Sequence, residues 1–263
     1  MITSIDHNAI TVLSIEKSLD FYVNALGLKN TYVKEREGIP WEIVLAIPEN
    51  NTVIELFSGG VKDKDNVYAA DQIGYHHWSL ACTDIDALAN MIRSKGYISE
   101  GQIPSTQPNG GKSMWIHDPE GNALEIIQHL PVEAYNGKEE LLGIDHIGFV
   151  TSDIYNSLDF YCNQLYLKHI NSVERDGKPW MEVVEVKPGQ TIEFFLGGTK
   201  NIPNKWESAG FAHISFHTPD VYTVIEKLRK YGSKVIIEPE TFPDGRSHGW
   251  VTDADGCRIQ FMS

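Results

Sequence analysis

The chain has 263 residues, of which 41% are hydrophobic and 22% are charged, as in ordinary soluble proteins of one large or two mid-sized domains. Its formal net charge of -14 disfavours nucleic acid and anionic membranes as partners, because an acidic surface repels both. We find neither a signal-peptide pattern nor a run near the roughly 18 apolar residues of a membrane span. The three cysteines are widely spaced, which favours a reducing, cytoplasmic setting without a disulfide framework.

The elements predicted along the chain alternate between strands and single helices. Ser14 and Asp153 are N-cap candidates for helices that carry SLDFY at 18–22 and again at 157–161. Asp84 and Asp220 begin two further helices, whose apolar residues recur at helical spacing up to Gly96 and Gly232. Short β-rich runs bounded by turn residues predict strands, and the clearest of them lie at 41–47, 52–57 and 123–128.

The same elements occur twice, because the second half of the chain repeats the first almost end to end. Three pairs of segments show the repeat: 4–12 with 143–151, 18–22 with 157–161, and 52–60 with 190–198. We therefore predict an N-terminal domain at 1–130, a linker at 131–142 and a C-terminal domain at 143–263. Each half also divides in two, which predicts an α+β protein built from four modules rather than a doubly wound sheet.

Each predicted module contains one histidine in its first strand and one glutamate or glutamine in its last strand, at nearly constant spacing. The four pairs are His7 with Glu55, His77 with Glu125, His146 with Glu193, and His213 with Gln260. A lone strand histidine usually packs or donates a hydrogen bond, and a lone strand glutamate usually faces solvent. Here the neighbouring residues change between modules, whereas the imidazole and the side-chain oxygen recur. A carboxylate among apolar residues also needs a partner that offsets the cost of burying its charge. A divalent cation bound by these imidazoles and carboxylates would be such a partner.

These residues resemble the vicinal oxygen chelate superfamily, which includes glyoxalase I, methylmalonyl-CoA epimerase, fosfomycin resistance proteins and extradiol dioxygenases. The resemblance covers nearly the whole chain and is carried by the strand histidines His7 and His146, by SLDFY, and by the closing run at 118–125. It implies βαβββ modules, paired into two glyoxalase-type domains whose curled mixed sheets form metal-binding cups. The residues leave open whether modules pair within a half or across halves.

The resemblance also implies a metal-ligand set, and the complete set of the first half is typical of bacterial glyoxalase I. That set is His7, Glu55, His77 and Glu125, which places the principal site within residues 1–130. A second, weaker site follows from His146, Glu193, His213 and Gln260, since an amide oxygen coordinates without charge. The metal expected is Ni, Co, Zn, Mn or Fe. Glu125, or else Glu55, is the expected catalytic base.

The reaction that the resemblance implies is lyase or isomerase chemistry on a small substrate that chelates the metal through two adjacent oxygens. One alternative is an Fe(II)-dependent extradiol ring-cleaving dioxygenase, although Trp115 and Trp250 stand where that group has a supporting tyrosine. Another alternative is a non-catalytic protein that binds a small ligand. A small molecule is the expected partner in each case, and homo-oligomerisation is left open.

A second histidine, His76, precedes His77 directly. Because successive strand residues face opposite sides of a sheet, we expect His76 to point away from the cup and not to bind the metal.

Overall fold

The computed structural model describes residues 1–47, 53–62, 71–129, 141–201 and 206–263. Within these ranges the chain forms four βαβββ modules, as predicted. The predicted linker lies outside the described residues, except for 141 and 142, which begin a strand. None of the helices in the described ranges is long and apolar enough to cross a membrane.

The two modules of the first half have the same order of elements. Module 1 comprises β1 (Ser4–Thr11), α1 (Ile15–Leu19, continued by a π-helical turn at Asp20–Ala25), β2 (Lys29–Arg36), β3 (Ile39–Ala46) and β4 (Val53–Phe57). Module 2 comprises β5 (Gly74–Cys82), α2 (Ile85–Ser94), β6 (Ser105–Thr106), β7 (Lys112–His117) and β8 (Ala123–Gln128).

The second half repeats this order. Module 3 comprises β9 (Leu141–Thr151), α3 (Ile154–Leu158, continued by a π-helical turn at Asp159–Gln164), β10 (Lys168–Arg175), β11 (Lys178–Lys187) and β12 (Gln190–Leu196). Module 4 comprises β13 (Gly210–His217), α4 (Val221–Lys230), β14 (Val235–Thr241), β15 (Ser247–Thr252) and β16 (Arg258–Met262).

The helices begin where the sequence predicts, because each N-cap side chain accepts a hydrogen bond from a first-turn amide that has no partner within the helix. Ser14 accepts from the Lys17 amide, and Asp153 accepts from the Tyr155 and Asn156 amides. Asp84 and Asp220 cap α2 and α4 in the same way. The predicted starts of all four helices are confirmed.

The strands form two eight-stranded mixed sheets, and each sheet combines one module from each half. The first has the order β14-β15-β16-β13-β1-β4-β3-β2, and the second has the order β10-β11-β12-β9-β5-β8-β7-β6. Antiparallel pairing of β1 with β13 joins module 1 to module 4, and that of β5 with β9 joins module 2 to module 3. The modules therefore pair across the halves, and neither half forms a sheet alone. The division into an N-terminal domain at 1–130, a linker at 131–142 and a C-terminal domain at 143–263 remains a prediction.

Burial alternates along β8 and separates the two faces of its sheet. In β8, Leu124 and Ile126 are fully buried, whereas Glu125 between them is partly exposed. The apolar side chains of α2, including Ile85 and Ile92, are buried in the same core. One face of each sheet thus packs in the core, and the other is left for polar residues at its centre.

One tyrosine–aspartate hydrogen bond in each half ties the two sheets together. The Tyr22 hydroxyl donates to Asp118 Oδ2 at 2.6 Å, and the Tyr161 hydroxyl donates to Asp253 Oδ2 at 2.9 Å. Each bond joins the helical segment of the first module of a half to the closing turn of the second. These bonds cross from one sheet to the other, because the two modules of a half belong to different sheets.

Candidate metal centres

A β-bulge precedes each of the four strand histidines. The pairing registers skip Asp6 in β1, His76 in β5, Asp145 in β9 and Ala212 in β13. A bulge places an extra residue on one strand and re-aims its neighbours. It therefore lets Asp6, His76 and Asp145 each reach the histidine that follows, which regular alternation would prevent.

Two candidate centres are present, and we number them in the order of their first histidine along the chain. Site II lies where β5 meets β9 and combines His77, Glu125, His146 and Glu193. The two imidazoles face each other with Nε2 atoms 2.9 Å apart, and both are buried. Glu125 Oε2 lies 3.2 Å from His146 Nε2. Glu193 Oε2 lies 3.8 Å from His146 Nε2 and 4.0 Å from His77 Nε2. The site thus holds two nitrogens and two carboxylates around one point.

The second centre, site I, occupies the equivalent position between β1 and β13. His7 and His213 face each other with Nε2 atoms 3.0 Å apart. Glu55 Oε2 lies 3.3 Å from His7 Nε2, and Gln260 Oε1 lies 3.1 Å from His213 Nε2. Site I therefore holds one carboxylate and one neutral amide, where site II holds two carboxylates.

These positions correct the predicted ligand sets. The structure does not bring His7, Glu55, His77 and Glu125 together; the first pair lies in site I and the second in site II. The set His146, Glu193, His213 and Gln260 divides in the same way. The physical reason is the cross-half pairing, since adjacent first strands carry the facing histidines. The principal site is therefore not confined to residues 1–130. All eight residues named from the sequence lie in these two clusters, in a different grouping. Their role as metal ligands stays a prediction.

The facing histidine nitrogens have the spacing of two ligands on one ion. Two ligands at about 2.1 Å from a cation and at right angles to each other lie about 3.0 Å apart. The facing Nε2 atoms are 2.9 Å apart in site II and 3.0 Å in site I. His, Glu and Gln donors suit a divalent first-row metal. In site II, His77, Glu125, His146 and Glu193 would hold it.

The charges within each centre favour a cation. Burial acts to lower the pKa of His146, but hydrogen bonds with Asp145 and Glu125 raise it to about 10. Burial, together with the neighbouring His146 and His76, lowers the pKa of His77 well below its ordinary value. One histidine thus retains a proton while its partner stays neutral, and a metal ion that replaces this proton satisfies the same carboxylates.

In site I, as in site II, one histidine has a raised pKa and the other a lowered pKa, but fewer polar groups surround the pair. Burial acts to lower the pKa of His7, but the charge of Glu55 and the hydrogen bond to Asp6 raise it. Burial and the charge of His7 lower the pKa of His213 well below its ordinary value. Within the described part of the chain, the buried Nδ1 of His213 has no hydrogen-bond partner, since the residue before it is Ala212.

Aspartates orient one histidine of each pair, and our sequence analysis missed them. Asp6 Oδ1 lies 2.7 Å from His7 Nδ1, and Asp145 Oδ1 lies 2.7 Å from His146 Nδ1. Asp145 Oδ2 also bonds to His129 Nε2 at 2.5 Å. Carboxylates on the second ring nitrogen fix the tautomer and orientation of a metal-binding histidine. The repeated Asp-His pair was the signal that could have revealed them.

His76 departs from the expected orientation. Its Nδ1 lies 2.8 Å from the Nδ1 of His77, and its ring contacts Phe195. The bulge at His76 explains the difference, because it interrupts the alternation on which the prediction rested.

Aromatic rings enclose the centres, and they leave site II more open. Trp115 packs against the His77 ring at 4.8 Å between centroids, and Trp250 packs against His213 at 4.3 Å. Trp115 is 43% exposed, whereas the equivalent Trp250 is 6% exposed and lies against Trp206. A solvent-facing wall at site II suits a cup that admits a substrate.

Comparison with known proteins agrees with this architecture. The family model described as "Glyoxalase/Bleomycin resistance protein/Dioxygenase superfamily" matches residues 4–126 and 143–261. The crystal structure of glyoxalase I from Zea mays superposes with a TM-score of 0.74 at 20% identity, over 99% of this chain and 92% of that one. This level of identity establishes the shared fold alone.

Sequence relatives carry the name lactoylglutathione lyase. The "Probable lactoylglutathione lyase, chloroplastic" of Arabidopsis thaliana is 22% identical over 90% of this chain, and the match spans 66% of that protein. The "Probable lactoylglutathione lyase" of Synechocystis sp. is 29% identical over 46% of this chain and 92% of its own length. Relatives about half as long as this chain and relatives longer than it therefore both match its sequence.

Proposed function

Because the chain belongs to the Glyoxalase/Bleomycin resistance protein/Dioxygenase superfamily, we propose that it is a metal-dependent, glyoxalase I-like enzyme with site II as its active centre. The observation that carries the proposal is the donor set of site II. Two buried Nε2 atoms lie 2.9 Å apart, with two carboxylates within 4.0 Å of them. Site I has one carboxylate fewer and a histidine whose Nδ1 is unpartnered within the described residues.

The proposed reaction converts a thiohemiacetal, formed from a small dicarbonyl and a thiol, into a 2-hydroxy thioester. A divalent metal, when bound, supplies Lewis-acid stabilisation of negative charge on two adjacent substrate oxygens. The protein contributes a base that removes the proton from the carbon bearing sulfur and returns it to the adjacent carbon. No oxidant is needed, because the proton moves within one molecule.

We assign the base to the carboxylate pair Glu125 and Glu193, with Glu125 retained as the first choice. Glu193 replaces Glu55 as the second candidate, because Glu55 lies in site I. Burial raises the pKa of Glu193, which strengthens it as a proton acceptor. Asp145 holds the His146 ring in place, and Trp115 with Phe195 lines the cup beside His77.

The test exploits a natural difference between the two centres. Gln260 occupies in site I the position that Glu125 occupies in site II. The variant Glu125→Gln therefore gives site II the donor set of site I without changing its shape. We expect formation of lactoylglutathione from methylglyoxal and glutathione to fall by about 100-fold or more, measured on protein reconstituted with Ni, Co, Zn, Mn or Fe.

Histidine variants supply the matched controls. His77→Ala should abolish the activity, and His213→Ala, its counterpart at site I, should retain at least half of it. Melting temperatures should confirm that both variants fold. Activity lost in His213→Ala and kept in His77→Ala would move the active centre to site I. Wild-type protein inactive with all five metals would refute the proposal.

A further inference from the structure

A hydrogen-bonded chain of three residues runs from the protein surface to site II. His129, which directly follows β8, is 45% exposed, and its Nε2 atom lies 2.5 Å from Asp145 Oδ2. The other oxygen of Asp145, Oδ1, lies 2.7 Å from Nδ1 of His146. His146 presents its Nε2 atom to the centre, 2.9 Å from that of His77. One carboxylate thus connects an exposed imidazole with a buried candidate ligand.

Both oxygens of the Asp145 carboxylate are engaged, and the carboxylate is largely shielded from water. Its side chain is 13% exposed, so water competes weakly for the two bonds. The bond with Asp145 raises the pKa of His129, and burial acts in the opposite direction. A neutral imidazole can donate the same bond from Nε2, so the contact does not depend on the charge of His129.

Site I lacks the third member of this chain among the residues that the structure describes. Asp6 Oδ1 lies 2.7 Å from His7 Nδ1, but within the described ranges no second side chain bonds to Asp6. His217, whose charge acts on Asp6, bonds through Nδ1 to the Thr3 hydroxyl at 2.6 Å. The Asp6 side chain is also more exposed, at 31%. The two centres therefore differ in how firmly the aspartate is held.

The second bond matters because a carboxylate turns easily about the Cβ–Cγ bond of aspartate. That torsion has a broad energy profile without sharp staggered minima, so a single hydrogen bond leaves the plane of the carboxylate loosely defined. A bond on Oδ2 of Asp145 fixes the plane and directs Oδ1 at Nδ1 of His146. An outer carboxylate of this kind sets the ring orientation and the basicity of a metal-binding histidine. His129 is therefore placed to act on His146 through Asp145.

We propose that His129 is a positioning residue of site II, which holds Asp145 and thereby His146 in the orientation that binds a divalent metal. The inference rests on the metal site within the proposed function and not on the reaction assigned to that site. Loss of the hydrogen bond from His129 is expected to weaken metal binding by about 10-fold or more, which is the effect typical of removing an outer partner of a metal ligand.

The test is titration with Co²⁺, followed by its visible absorption, of three variants in the His213→Ala background, in which site I lacks one histidine and the signal reports site II. His129→Leu removes the donor and should weaken Co²⁺ binding about 10-fold or more and shift the absorption. His129→Gln keeps an amide N–H that can donate to Asp145 and should bind within about 3-fold of the parent. His117→Leu, which replaces an exposed histidine of β7, should leave the affinity unchanged.

A double variant shows whether His129 acts through Asp145. Once Asp145→Asn has weakened binding, adding His129→Leu should cause little further loss, because the two residues belong to one chain of bonds. Unchanged affinity in His129→Leu, an equal loss in His129→Gln, or fully additive losses in the double variant would each overturn the proposal. Melting temperatures verify folding, and His129→Ala takes the place of His129→Leu if that variant is unstable. The titration decides the role of His129 whether or not the protein forms lactoylglutathione, so failure of the proposed reaction is a separate result.

Discussion

At the scale of single residues, the centre depends on a position that has no side chain. Gly148 of β9 lies directly opposite His77 in the paired strand. A Cβ atom at Gly148 would overlap the His77 ring. The equivalent position in site I is Ala9, opposite His213. The absence of a side chain at Gly148 therefore lets the His77 ring lie against the β9 backbone in site II.

We expect Gly148→Ala to displace His77 and to weaken metal binding at site II by at least about 10-fold, since ligands must be held near their productive geometry. Titration with Co²⁺, followed by its visible absorption, measures the affinity. Ala9→Gly is the control and should leave site II unaffected. An unchanged affinity in a folded Gly148→Ala variant would show that the strand shifts without disturbing the ligand.

At the scale of elements, the closing turns carry aspartates whose environment opposes ionisation. Burial raises the pKa of Asp253 to about 7, and the nearby charge of Asp255 acts in the same direction. The Tyr161 hydroxyl and the Cys257 amide both donate to this carboxyl. The same turn in the first half holds Asp118, whose pKa burial also raises. The link between sheets is therefore sensitive to pH.

We expect Asp253→Asn to gain stability relative to wild type as pH rises. Between pH about 4 and about 7 the folded wild type binds a proton at Asp253 that the unfolded chain has lost, so its unfolding free energy falls across this interval. The asparagine variant lacks this loss. Because Asp253 is partly exposed, screening reduces the difference to about 1–2 kcal/mol.

Urea unfolding of metal-stripped protein at a series of pH values measures the difference between the two proteins. It should grow up to pH about 7 and then level off. A difference that stays constant with pH would show that Asp253 does not titrate on unfolding.

At the scale of the whole molecule, the cross-half pairing builds each candidate metal centre from residues of both repeats. Site II takes His77 from the first half and His146 from the second. Site I takes His7 from the first half and His213 from the second. Histidines of the same half therefore lie in different sites, and each site combines histidines from both halves.

We expect His77→Ala and His146→Ala to remove the same metal ion, so that the double variant loses no more metal than either single variant. His7→Ala combined with His77→Ala should lose the metal of both sites. Elemental analysis per chain after reconstitution measures these contents. Metal lost in both His7→Ala and His77→Ala but kept in His146→Ala would instead indicate the grouping of His7, Glu55, His77 and Glu125 that was expected from the sequence.

The sequence by itself determined the repeat, the four modules, the helix starts and all eight candidate donors. These features are local, since caps such as Asp84, strand alternation around Glu125 and the spacing of each His–Glu pair are readable within one module. Only the tertiary structure decided which donors meet, because four similar modules have similar apolar edges and no local pattern distinguishes partners. It also decided the roles of Asp145 and Gly148, which depend on a bulge and on the residue opposite in another strand.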